Sequence, residues 1–107
     1  MRANYFDNGR QVFSYHTVIL ERHDGLTIGN VTHYSSTTSK HQAKAGSRYA
    51  AVLLDNVPKG ATDLLTLAIE RGTFHPVVNC DHNYWAFQTQ QGENMLLVRG
   101  DDNANAS

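Results

Sequence analysis

Ala61, Leu64, Leu65, Ala68 and Ile69 recur at i, i+3, i+4, i+7 and i+8, which is one face of an α-helix. This is the clearest periodic signal in the chain. A helix with one apolar face has to cover an apolar surface, so a sheet is expected behind it. Asp63 near its start and Arg71 near its end suit the helix dipole, and Gly72 is placed to stop it. The pattern predicts a helix over about 61–71.

The N-terminal side offers strands for such a sheet. Residues 12–22 are rich in Val, Phe, Tyr, Thr, Ile and Leu, a β-forming composition. Alternation puts Phe13, Tyr15, Thr17 and Ile19 on one face and Ser14 and His16 on the other. Asp7-Asn8-Gly9 predicts a turn before this strand, and His23-Asp24-Gly25 one after it. Residues 26–34 alternate again, so the two long strands read as an antiparallel N-terminal hairpin. Ser35 to Ser39 are N-cap residue types, Lys40 to Ala45 mostly helix formers, and Gly46 a stop, which predicts a short helix over about 37–45. The apolar run 49–54 fits a buried strand, and 56–60 a loop.

The last third reads as a β-meander of strands at 74–78, 84–89 and 95–99. Pro76 assigns the first of these to an edge, because proline cannot donate a ladder hydrogen bond. Trp85 and Phe87 fall on the core face of the second, with Tyr84 opposite. The expected fold is a single α+β domain over 1–99, mostly antiparallel, with a flexible polar tail over 100–107.

At 107 residues there is room for one core, and a small one, so a homo-oligomer is a natural expectation. One cysteine excludes an internal disulfide and a four-cysteine zinc site. No apolar run approaches the roughly 20 residues of a membrane helix, and the N-terminus lacks the apolar stretch of a signal peptide. No membrane partner is expected, and the expected location is the cytoplasm.

A net charge of −1 excludes a uniformly basic surface. The charge is unevenly spread, however. Residues 25–54 contain no Asp or Glu but hold Lys40, Lys44 and Arg48, a local +3. On the predicted helix Thr37, Lys40, His41 and Lys44 share a face. Lysines supply charge for a phosphate, while hydroxyls and free N–H groups at a helix start supply directed hydrogen bonds. Thr37, Thr38, Ser39, Lys40, His41, Lys44 and Arg48 are therefore the candidate anion- or nucleic-acid-binding residues. The competing reading is that the Ser/Thr run only caps the helix and the lysines are only solvated.

Phe13-Ser14-Tyr15-His16-Thr17-Val18-Ile19, followed by Tyr34-Ser35-Ser36-Thr37-Thr38-Ser39-Lys40-His41-Gln42, resembles a family of short uncharacterised proteins of bacteriophage genomes and other mobile elements. That family pairs an S-Y-x-T strand with a Y-S-x-T-T-S-K-H stretch. His16 departs from it, since Asn is more usual there. The resemblance covers about the first half of the chain. It implies a phage context, and so the host cytoplasm, but no activity.

No nucleophile elbow, P-loop, dinucleotide fingerprint or zinc pattern is present. His75, Cys80 and His82 lie close in sequence, but Cys-x-His alone is too short a zinc signature, and a strand-end cysteine is usually packed. No catalytic residue, metal ligand or cofactor is assigned, and an enzyme built on that loop is the weakest class. The expected function is that of a phage-type accessory protein acting by binding. DNA, RNA or another phosphate-bearing partner ranks first, and a module that inhibits or redirects a host protein ranks second.

Overall fold

The computed structural model describes residues 4–23, 26–78, 83–89 and 92–98. The first turn forms as its residue types require. Asp7 Oδ1 accepts from Gly9 N at 2.8 Å, and Asn8 Oδ1 accepts from Arg10 N and Gln11 N at 3.0 and 2.7 Å. Gly9 takes φ +93°. The turn joins β1 (Tyr5–Asp7) to β2 (Gln11–Ser14) in an antiparallel pair.

The expected single strand over 12–22 is instead two. β2 ends at Ser14, the chain reverses at Tyr15 and His16, and β3 (Thr17–His23) returns antiparallel. Tyr15 sits at φ 57°, a left-handed conformation that a bulky residue adopts only under outside constraint. The constraint includes its N–H, which donates to Asn4 O at 2.7 Å. No Gly or Asn marks this reversal, so local turn chemistry gives no warning of it.

β4 (Leu26–Asn30) pairs antiparallel with β3, as the hairpin reading requires; Asp24 and Gly25 of its turn lie outside the described residues. After β4 the chain runs through α1 (Ser36–Ala45) and a 3₁₀ turn (Ser47–Tyr49) into β5 (Val52–Leu54). β5 lies parallel to β4, because a helical crossover brings the chain back to the starting end. The sheet order is β1-β2-β3-β4-β5, mixed in direction. The strand expected over 49–54 keeps only its second half, and Tyr49 is 90% exposed.

A bulge decides which face each β3 residue serves. Val12 pairs Leu20 and Phe13 pairs Val18, so Ile19 is the extra residue. Ile19 and Leu20 pack with Val12 and Ala50, beside α1 and the 3₁₀ turn. Val18 packs in the main core with Leu64 and Ala68. Gly29 on β4 faces the 3₁₀ turn, where a Cβ would stand 1.9 Å from the Ser47 carbonyl oxygen. Close backbone approach, not an unusual φ, demands glycine here.

α2 (Leu64–Glu70) covers the other face. It begins at Leu64 and not at 61, because Asp63 is the N-cap: its carboxylate accepts from Thr66 N at 3.0 Å and Thr66 Oγ1 at 2.8 Å. Ala61 stays outside the helix, and its carbonyl accepts from Val18 N at 2.9 Å. Leu64 and Ala68 are fully buried, while Ile69 at the end of the stripe is 37% exposed.

Glu21 of β3 is 1% exposed and joins the sheet to the start of α2. Its carboxylate accepts from Leu64 N at 2.6 Å, Leu65 N at 3.1 Å and Gln11 Nε2 at 2.8 Å, with His23 Nε2 at 2.9 Å. Burial pushes the Glu21 pKa up. The hydrogen bonds from His23, Leu64 and Gln11 together outweigh burial and hold it below its ordinary 4.5.

The C-terminal meander forms as expected, in the order β6-β7-β8: β6 (Phe74–Val78), β7 (Asn83–Gln88) and β8 (Asn94–Val98). Pro76 lies on an edge strand. Phe74, Phe87 and Trp85 pack together, and all three join the main core with α2. The fold is thus α+β. The expected polar tail over 100–107 lies outside the described residues.

Glu21→Gln leaves one acceptor for four donors and is expected to cost about 3 kcal/mol in urea unfolding at neutral pH. The folded pKa of Glu21 is lowered, so its stabilisation is complete above 4.5 and is lost as pH falls through the folded value. The variant should therefore lose less stability than the parent between neutral and acid pH. Gly29→Ala should destabilise by about 3 kcal/mol, read as a drop in Tm, because backbone at Ser47 has to move.

Candidate nucleic-acid interface

α1 is capped at both ends by the residues the sequence marks. Ser35 Oγ accepts from Thr38 N at 3.1 Å, and Gly46, at φ 78°, donates to the Gln42 and Ala43 carbonyls. Lys44 in the last turn faces the negative end of the helix dipole.

The seven candidate residues separate into two sets. Thr37, Lys40, Lys44 and Arg48 are exposed. Among the described residues, Lys40, Lys44 and Arg48 form no ion pair with a carboxylate. Ser39 is half-buried, with its Oγ 3.4 Å from His33 Nδ1. Thr38 is 5% exposed and lies off the outer face, whereas His41, half-buried, lies at its edge. The single face expected for Thr37, Lys40, His41 and Lys44 loses His41, which turns toward β2.

What draws these residues inward is a polar seam under α1. Thr38 Oγ1 accepts from Ser14 Oγ at 3.0 Å and from Ser35 Oγ at 3.3 Å. His41 Nδ1 lies 2.6 Å from Ser14 Oγ. Gln42 Nε2 donates to the Asn30 and Thr32 carbonyls at 2.8 and 2.9 Å. Much of the Tyr34–Gln42 motif therefore docks α1 on the sheet.

Ser14 and His41 have the separation of a nucleophile and its base. The chemistry does not follow. Ser14 is 1% exposed, its hydrogen is engaged, and among the described residues no carboxylate orients His41.

The outer face gains partners that sequence spacing misses. Lys44 Nζ stands 4.4 Å above the ring of Tyr5, a cation–π contact. The His41 ring lies 5.5 Å from Tyr5 and 6.0 Å from Tyr15. Tyr15, His41, Tyr5 and Lys44 thus form a continuous aromatic and cationic strip. Its members come from β1, the β2–β3 turn and α1, so no sequence window contains them.

At the foot of α1, a cavity of about 320 Å³ is lined by Ser14, Tyr15, Thr17, Tyr34, Ser35, Thr38 and Lys59. The contacts that hold the loop carrying Lys59 include two beside the cavity. Gly60 N donates to Thr17 Oγ1 at 2.8 Å, and the Tyr34 hydroxyl donates to Val57 O at 2.6 Å.

A larger cavity of about 690 Å³ lies against the C-terminal sheet, lined by His75, Met95, Leu96 and six further residues, none of them Asp, Glu, Lys or Arg. His75 is exposed, while Cys80 and His82 lie outside the described residues. Among the described residues no three His, Cys, Asp or Glu side chains cluster as metal ligands, and no helix is long and apolar enough to cross a membrane.

Comparison with protein-family models, curated proteins and solved structures returns no match.

Gln42→Ala removes two hydrogen bonds to carbonyls beneath α1. A loss of about 2 kcal/mol is expected, with faster amide exchange in α1 than in α2.

Proposed function

We propose that this chain is a phage-type accessory protein that works by binding, with a nucleic acid as the favoured partner. One observation carries the reading: Lys40, Lys44 and Arg48 are exposed on α1 and the adjoining turn, unpaired with any carboxylate among the described residues, and Lys44 stands over the Tyr5 ring, from which the strip continues through His41 to Tyr15. Cations track a phosphate backbone, and neighbouring rings offer stacking surfaces to unpaired bases, so a single strand suits this face better than a duplex. The capping role of Ser35 leaves this reading intact, because the three cations take no part in capping.

Exposed apolar side chains on the C-terminal sheet favour the second reading, a protein-interaction module. Val78 is 80% exposed, Leu96 62% and Met95 43%. Such groups are costly to leave in water and suit a protein partner.

Fluorescence anisotropy with a labelled single strand at low salt separates the two. Lys40→Glu/Lys44→Glu should lower affinity at least about tenfold, whereas Leu96→Glu should leave it unchanged. For the parent, three phosphate contacts give a slope of about −2 in log K against log salt. Absence of strand binding at low salt would overturn the proposal.

A further inference from the structure

We infer that the cavity at the foot of α1 is a seat for a phosphate monoester carried on a sugar, either a free nucleoside monophosphate or the phosphorylated end of a strand. The strand-end source rests on the nucleic-acid reading above; the chemistry of the cavity does not.

Every lining residue carries a hydroxyl except Lys59, which carries an ammonium, and none carries a carboxylate. Ammonium is a donor only, and a hydroxyl donates readily to an anion. One hydroxyl has a hydrogen to give. Thr17 Oγ1 accepts from Gly60 N, and its own O–H has no acceptor among the described residues although Thr17 is only 5% exposed. Thr38, equally buried, has the Ser14 and Ser35 hydroxyl oxygens within reach at 3.0 and 3.3 Å, so its needs are met within the wall. Buried donors normally find acceptors, so Thr17, with the Lys59 ammonium, marks the wall of a site for an acceptor-rich ligand. A bare metal cation would want carboxylates, and an apolar ligand would leave the Thr17 donor unmet.

Size refines the class. The volume of about 320 Å³ stands at the lower end of the roughly 300–1,000 Å³ typical of small-molecule sites. That exceeds the needs of inorganic phosphate and suits phosphate plus sugar. Tyr15 at the rim is 49% exposed and held at φ 57°, with its ring against His41. A base leaving the cavity would meet this ring first and then the strip toward Lys44.

The test uses the full chain. Calorimetry compares adenosine monophosphate, adenosine and inorganic phosphate. Anisotropy compares a single strand ending in phosphate with its hydroxyl-ended twin. Adenosine monophosphate should bind, adenosine should not, and inorganic phosphate should bind more weakly. Lys59→Ala removes an exposed side chain and should weaken monophosphate binding about tenfold.

For a strand-end ligand, the phosphate-ended strand binds about tenfold tighter than its twin, and Lys59→Ala abolishes that difference. Lys40→Glu/Lys44→Glu should weaken both strands alike. Equal strands with Lys59-dependent monophosphate binding assign the free nucleotide. Monophosphate binding without any strand binding keeps the cavity site and overturns the nucleic-acid reading. Equal strands with no monophosphate binding overturn the cavity site and leave the α1 face standing. Inorganic phosphate binding as tightly as the monophosphate overturns the sugar assignment.

Discussion

Asn30 ends β4 with no exposure to solvent, and the cavity and the basic face both depend on how its polar groups are met. The β3–β4 ladder stops at Leu20 and Gly29. One residue further, the Asn30 side-chain amide takes over, donating to Val18 O at 3.0 Å and to the Tyr34 hydroxyl at 2.9 Å. Its Oδ1 accepts from Thr32 N, and its backbone carbonyl accepts from Gln42 of α1. Tyr34 passes the connection on to Val57, at the start of the loop that carries Lys59. One buried amide thus ties together β3, β4, α1 and the loop. Burying such a group is unfavourable unless every partner is in place, so the network admits essentially one arrangement of α1.

The charges are sorted by the same logic. Several carboxylates serve the backbone and are spent there. Glu21 closes the start of α2, Asp63 caps it, and Asp7 bonds Gly9 N while pairing with Arg22 at 3.1 Å. None of these lies on α1. The cations Lys40, Lys44 and Arg48 are left facing water, and a nearly neutral chain presents one basic side. Local surplus matters here because fields from exposed charges decay within roughly 10 Å at ordinary salt.

Much of the fold was legible. The α2 stripe, both caps of α1, the Asp7-Asn8-Gly9 turn and the edge position of Pro76 each follow from residue type and spacing. The misses share a cause. Tyr15 turns the chain without a turn residue, and Ile19 bulges without a glycine, so alternation over 12–22 assigned faces that the strand does not keep. At the site, the exposed positions of Thr37, Lys40 and Lys44 fit what helix spacing suggested. Thr38 and His41 turned inward because Ser14, 24 and 27 residues away, offered them hydrogen-bond partners.

By itself the sequence determined which segments become α-helices, where α1 is capped, and that one stretch carries cations without acids. These depend on near neighbours along the chain, at spacings of three or four residues. Tertiary structure alone decided that Tyr5, Tyr15, His41 and Lys44 form one strip, and that Lys59 closes a cavity walled by Thr17 and Thr38. Those groupings depend on a bulge, a left-handed tyrosine and a parallel crossover. Each is stabilised by contacts between residues far apart in sequence, which no local pattern records.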